Sequence, residues 1–242
     1  MNRILITCEH GGNRIPAPYR LLFKGYGSLL DSHRGYDMGA LVMARELAAA
    51  FAAPLVAGTV SRLLVDLNRS PGHPGLHGDA IRGALADVRA RIVERYYVPY
   101  RTKVERCMHQ AVAAGHRVVH ISSHSFTPKL DGKVRNADIG LLYDPARHGE
   151  VELTQRWQAC LAVCAPALVI RRNYPYAGKG DGLTNHLRRR YPPGEYVGVE
   201  LEINQKYAIH SSPHWKALRK AVIASLRLAL DAPPNFSSHR PS

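Results

Sequence analysis

The sequence predicts a single α/β domain of three layers, with a central mixed, mainly parallel sheet flanked by helices. Three observations carry this. Short apolar runs of strand character recur along the chain, at Ile4-Leu5-Ile6-Thr7-Cys8 and then near 118–122, 139–143, 168–170 and 196–203. Segments with apolar residues at helical spacing lie between them, near 38–51, 84–114, 151–163 and 213–230. The 242 residues, 45% of them hydrophobic, suffice to bury one full core and reach the upper end of a usual domain. Strands that alternate with helices need crossover connections, so most of them run parallel and are covered on both faces.

Taken in order, the first strand ends at Glu9-His10-Gly11-Gly12, and 11–32 is rich in Gly, Pro and Tyr and reads as an irregular loop. From Met38, the residues Leu41, Val42, Ala44, Leu47, Ala48 and Phe51 recur with helical spacing, and Asp37 stands where an N-cap would stand. Residues 54–60 are a short strand candidate, followed by the apolar run Leu63-Leu64-Val65 between Arg62 and Asp66. The long helical stretch after 84 is expected to bend or break at Pro99, whose ring removes a hydrogen bond, and Gly115 ends it. After the strand near 168–170, residues 174–194 form a Gly-rich loop with one helical turn near 185–190. The domain is read as 1–232, and 233–242, polar and proline-bearing, as a disordered tail.

Composition narrows the function. No run approaches the roughly 18 apolar residues of a membrane span, and Met1-Asn2-Arg3 leads straight into a strand instead of a secretory h-region. A cytoplasmic protein with no membrane partner is the expectation. Cys8, Cys107, Cys160 and Cys164 form no Cys-x-x-Cys pair and are expected as buried free thiols. The formal charge of +14 would suit a polyanion or a small anionic substrate. Its arginines are scattered, with Arg188-Arg189-Arg190 the only local cluster and no stripe interleaved with aromatics, so nucleic acid is not expected.

Chemistry gathers where strands end. His10 closes one apolar strand beside a Gly-Gly turn, and His124 follows Ile121-Ser122-Ser123 at the end of another. Two imidazoles delivered this way, with a carboxylate, are what a hydrolytic zinc or other divalent site requires. Asp37 is the preferred third ligand, with helix capping as its alternative. Glu9 points away from His10 if the strand keeps its pleat. His120 lies within its strand and reads as a satisfied core histidine. Glu200 and Glu202 share one face of the last strand, and Glu200 is the candidate general base, while an ion pair with a buried arginine is the alternative for each. Arg62, Asn68 and Arg69 could bind substrate carboxylates through planar forks, and Arg172 with Asn173 offers a second set. The loop Gly178-Lys179-Gly180-Asp181-Gly182 lacks P-loop order and reads as a substrate-binding segment or lid, with Lys179 and Asp181 its candidates.

Six segments together resemble the N-formylglutamate amidohydrolase family: Cys-Glu-His-Gly-Gly-Asn-Arg-Ile-Pro at 8–16, Gly-Tyr-Asp-Met-Gly-Ala at 35–40, Ser-Arg-Leu-Leu-Val-Asp-Leu-Asn-Arg at 61–69, Ser-His-Ser-Phe at 123–126, Tyr-Ala-Gly-Lys-Gly-Asp-Gly-Leu-Thr at 176–184 and Val-Glu-Leu-Glu-Ile-Asn-Gln at 199–205. The resemblance implies a zinc carboxypeptidase-like fold with a metal held by two histidines and a carboxylate and a glutamate base on a late strand. It implies hydrolysis of a linear amide by a metal-activated water, most simply N-formyl-L-glutamate to formate and L-glutamate. Another amidohydrolase of small acidic N-acyl amino acids, or a carboxypeptidase-like amidase cutting a cell-wall or peptide amide, is the alternative enzyme, and a basic polyanion-binding protein the non-enzyme alternative. In that fold the carboxylate ligand usually lies three residues after the first histidine. Here that position is Asn13, so Asp37 fills the gap best, with a site of fewer protein ligands and more waters as the alternative.

Overall fold

The computed structural model describes residues 2–208 and 213–231. The chain runs β1 (Asn2–Cys8), α1 (Gly27–Leu30), α2 (Ala40–Ala50), β2 (Leu55–Ala57), α3 (Asp79–Arg82), α4 (Ala86–Ile92), α5 (Val98–Ala113), β3 (Arg117–Phe126), β4 (Lys129–Leu130), β5 (Lys133–Val134), β6 (Ile139–Leu142), α6 (His148–Cys164), β7 (Ile170–Arg172), α7 (Leu183–Arg190), β8 (Tyr196–Asn204) and α8 (Pro213–Asp231). Six strands form one sheet in the order β2-β1-β3-β8-β6-β7. Every neighbour pair in it is parallel except β8 with β6, which is antiparallel. This is the mixed, mainly parallel sheet that the alternation predicts.

Period-2 alternation in β8 shows how the sheet divides the interior. Val197, Val199, Leu201 and Ile203 point into a core with Trp157 of α6, Trp215 and Leu226 of α8, and Met43 and Leu47 of α2. On the opposite face Tyr196 joins Leu5 and Val118 against Ile92, Tyr100, Val104 and Met108 of α4 and α5 and Leu187 of α7. Burying each such large apolar side chain contributes roughly 1.5–3 kcal/mol. Further along β8, that same second face carries Glu200 and Glu202, where the sheet leaves its core and meets the loops.

Several elements differ from the sequence expectation for identifiable reasons. The helix read from Met38 starts at Ala40, with Gly39 at its N-cap in a left-handed conformation (φ 82°), so Asp37 lies outside it and makes no cap. The apolar run 63–65, to which the sequence pattern assigns no element, is a turn, with Leu64 and Val65 N–H both bonded to Ser61 O. The long helix changes character before Pro99, through a π-helical turn at Val93–Tyr97, and Pro99 lies in the first turn of α5, directly after it. The loop 11–32 contains a 3-10 segment, Ala17–Phe23, as well as α1. The expected tail at 233–242 lies outside the described residues. Cys8 is buried, but Cys107 and Cys160 are partly exposed and Cys164 is exposed, which corrects the expectation that all four are buried.

Candidate active site

His10 sits in the turn that follows β1. That turn packs backbone against backbone: Gly11 N–H donates to Gly58 O at 2.9 Å, and a Cβ on Gly12 would lie 2.7 Å from Thr59 O. Only glycine permits this approach. Asp37 N–H donates to His10 O at 2.9 Å, which brings the loop before α2 onto the same turn. β3 continues to Phe126, four residues beyond the predicted strand, so His124 is within the strand and its position is set by pairing with β8, opposite Glu202.

These three residues converge. Asp37 Oδ2 lies 2.8 Å from Nδ1 of His124 and 3.4 Å from Nδ1 of His10. The ring centroids are 5.2 Å apart, and one ligand atom from each of the three residues falls within 4.8 Å of the others. All are buried, at 2–4% exposure. The outer nitrogens face carboxylates: Nε2 of His10 is 2.7 Å from Asp66 Oδ1, and Nε2 of His124 is 2.9 Å from Glu9 Oε2. Carboxylates therefore face both nitrogens of each imidazole, and the Nδ1 atoms are the pair turned toward Asp37 and available to a cation. Two imidazole nitrogens and a carboxylate oxygen, each imidazole backed by a second carboxylate, fit a divalent cation such as zinc.

The buried carboxylates set the electrostatics of the cluster. Burial alone would lower the His124 pKa, but hydrogen bonds to Asp37 and Glu9 and their charges raise it well above the ordinary value. For His10, burial and Arg62 lower the pKa, and Asp66 and Asp37 outweigh them. Burial opposes ionisation of Glu9, yet its bonds from His124 and Ser122 hold its carboxyl far below the usual range. Protons on the imidazoles thus offset the buried carboxylates where a cation would otherwise do so.

Neither Glu9 nor Asp66 figures in the sequence-level ligand set. The pleat does not extend to Glu9, because β1 ends at Cys8 and Glu9 and His10 lie in the turn after it, and Glu9 is aimed across the β1–β3 pairing at His124. Since Thr7 pairs with Ser122, Glu9 falls two places on, level with His124. Ser122 Oγ at 2.6 Å and Tyr100 OH at 2.7 Å donate to the Glu9 carboxylate.

The triad opens into a cavity of about 480 Å³ whose walls include Glu200, Glu202, Arg62, Asn68, Arg69 and Asp181. Glu200 accepts from Thr184 Oγ1. Glu202 is 5% exposed, one of its oxygens lacks a hydrogen-bond partner, and burial, reinforced by Asp37 and Glu200, pushes its carboxyl up to about 8. Arg62 does not meet the cavity as a free fork: its nitrogens lie 2.9 Å from Asp66 Oδ2 and 3.4 Å from Asp37 Oδ1. Arg69 donates to the backbone oxygen of Asp181 at 3.0 Å, and the Asp181 carboxylate receives Ser70 N–H and Oγ. Asn68 Oδ1 receives Leu183 N–H at 2.7 Å. Arg172, Asn173 and Lys179 are outside the cavity lining. Arg172 lies over the Tyr143 ring at 5.7 Å, and Asn173 Oδ1 ties Tyr143 N–H to Gly178 N–H, which shapes the loop behind the wall. His33 lines the cavity, whereas His77 bonds Leu64 O and His73 accepts from Gly75 N–H.

A cation site beside strand carboxylates and an arginine, in one cavity, can polarise a carbonyl, move a proton and hold an anion. The sequence matches the family model described as N-formylglutamate amidohydrolase over residues 2–208. No curated protein matches it. Among solved structures, the gene product Atu2144 of Agrobacterium tumefaciens is 30% identical with a TM-score of 0.78, over 93% of this chain and 88% of that one. N-formylglutamate amidohydrolase from Ralstonia eutropha JMP134 shares the fold at 18% identity and a TM-score of 0.68, over 94% of this chain and 92% of that one. No helix among the described residues is long and apolar enough to cross a membrane.

Proposed function

The chain belongs to the N-formylglutamate amidohydrolase family, and from that premise we propose that it is a metal-dependent hydrolase of linear amides, converting N-formyl-L-glutamate to formate and L-glutamate. The observation that carries the reading is the sharing of one cavity by the His10/Asp37/His124 cluster, the two β8 carboxylates and Arg69. Zinc or another divalent cation, held by those three residues, would supply the Lewis acidity that polarises the amide carbonyl and activates water.

The rest is the work of the chain's own residues. Glu200, oriented by Thr184, takes a proton from the attacking water and returns it to the leaving nitrogen. Arg69 holds the substrate carboxylate through its planar fork, and its bond to Asp181 O fixes the direction of that fork. Asn68 and Asp181 shape the same wall by fastening it to the start of α7 and to Ser70. Arg62 keeps Asp37 and Asp66 in place, and Glu9 and Asp66 keep both imidazoles turned inward. A different small N-acyl amino acid is the second reading, favoured by a cavity of about 480 Å³ that exceeds the need of a one-carbon acyl group.

Formate release from N-formyl-L-glutamate, abolished by a chelator and restored by zinc, tests the proposal. Glu200→Gln should retain zinc and lower kcat by roughly 10²–10⁴-fold. A fully active Glu200→Gln protein refutes that residue's role, and if Glu202→Gln alone is inactive the base is the next inward carboxylate of β8. Binding to DNA that weakens steeply with salt, with no zinc uptake, would favour the polyanion alternative.

A further inference from the structure

The cavity has an aromatic wall that a formyl group cannot use. Phe126, two residues past His124 on β3, and Tyr176, in the loop before α7, both line it. Tyr176 is 46% exposed, yet it is held firmly. The Arg135 guanidinium lies 5.0 Å from its ring centroid and donates to its hydroxyl at 3.0 Å. The same guanidinium lies 5.9 Å from the Phe126 ring, which Tyr174 braces from the other chain segment, edge-on at 6.4 Å and 90°. One cation therefore fixes two rings: Phe126, only 2% exposed, backs the wall, and Tyr176 gives it its open surface, in a cavity otherwise lined mainly by polar and charged groups. An aromatic ring with an open, pre-oriented surface binds apolar or planar groups with little ordering cost. Formyl has one carbon and glutamate ends in carboxylates, so N-formyl-L-glutamate leaves this surface unused.

We infer that the site takes N-acyl amino acids bearing an aromatic or branched apolar group, and seats that group on the Tyr176 ring, which Arg135 holds and Phe126 backs. The inference rests on the amidohydrolase reading for its reaction class, in the second form of that reading, a different small N-acyl amino acid, and names the part of that substrate it leaves open. Both the acyl group and the amino-acid side chain could carry the apolar group, and the test separates them.

Binding of N-formyl-L-glutamate, N-benzoyl-L-glutamate and N-formyl-L-phenylalanine is measured by calorimetry on the zinc-loaded wild-type, Tyr176→Ala and Tyr176→Phe proteins, alongside their hydrolysis. At least one ring-bearing compound should bind about tenfold more tightly than N-formyl-L-glutamate. Tyr176→Ala should remove most of that advantage and leave N-formyl-L-glutamate within about twofold, while Tyr176→Phe, which keeps the ring, should retain most of it. The benzoyl compound gaining places the group on the acyl side, and the phenylalanine compound gaining places it on the amino-acid side. If neither ring compound gains, or if Tyr176→Ala weakens all three alike, the inference is overturned. Ring-dependent binding without hydrolysis of any compound supports the wall and sinks the amidohydrolase reading instead.

Discussion

The carboxylate of Glu9 lies 2.9 Å from Nε2 of His124, at the end of that ring remote from Asp37. Glu9 is fully buried and receives two hydroxyl hydrogen bonds as well, from Tyr100 and Ser122. A buried charge with this many partners fixes the tautomer and tilt of the imidazole, and raises its basicity toward a cation.

Glu9→Gln should therefore lower zinc affinity by roughly 10–100-fold while the protein still folds, because the amide can keep the hydroxyl bonds but not the charge. Competition with a chelating dye measures this. Unchanged affinity would mean that Glu9 serves only the packing between β1 and β3.

Zinc uptake should also depend steeply on pH. Both imidazole pKa values are raised above 6.5, since the carboxylates around them outweigh burial. The protons must leave before Nδ1 can coordinate, so affinity should rise with pH through and above 6.5, by up to about tenfold per unit for each proton displaced. The metal-free protein should show the opposite trend: the stability that the raised values supply is fully present below 6.5 and is lost as pH rises through the folded-state values. A flat zinc affinity between pH 6 and 8 would contradict both statements.

The sheet, its alternation with helices, and the two histidines were legible because each leaves a local signal, an apolar run, a helical period or a histidine that closes an apolar run, whereas Asp37 stood only at an N-cap position that Gly39 takes instead. The partners of those residues were less so. Glu9 and Asp66 act across pairings whose register the sequence does not print, and Arg62 looks like a free fork until the fold sets it beside two carboxylates. Arg172 and Asn173 adjoin the right loop, but β7 includes Arg172 and the turn after it directs Asn173 to Tyr143 and Gly178. His120 was readable as structural because it sits mid-strand among apolar residues.

Arg62 and Arg69 should separate in a mutational test, although both were candidate carboxylate binders. Arg62→Ala removes the partner of Asp66 and Asp37 and should destabilise the protein by about 2 kcal/mol, less than a fully buried pair because the Arg62 side chain is 27% exposed. Arg69→Ala should raise KM by about tenfold or more and leave zinc affinity and stability nearly unchanged. Urea unfolding, dye competition and steady-state kinetics on the two variants check this, and a stable Arg62→Ala protein with raised KM alone would reverse the assignment.

Stability in mild acid should report on His120. Its ring is fully buried, with Nε2 2.8 Å from Thr7 Oγ1 and Nδ1 2.8 Å from Tyr196 OH. Burial lowers its pKa from 6.5 to about 4. Between those values the unfolded chain takes up a proton that the folded chain does not, so stability falls as pH drops from 6.5 to 4, by about 3 kcal/mol, and this group adds no further loss below 4. In the metal-free protein the site histidines, protonated in both states well below 6.5, and Glu9, Asp37 and Asp66, whose depressed values act mainly at lower pH, add little in this window. Glu202, raised to about 8, acts across it with the opposite sign and His33, His77 and His186 with the same sign, so His120 is read from a difference in which they cancel. His120→Gln can bond both hydroxyls without titrating, so the difference between wild type and this variant, followed by urea unfolding from pH 7 to 4, should shrink as pH falls. A difference that stays constant across the window would show that the buried ring takes up its proton in the folded state as readily as in the unfolded chain.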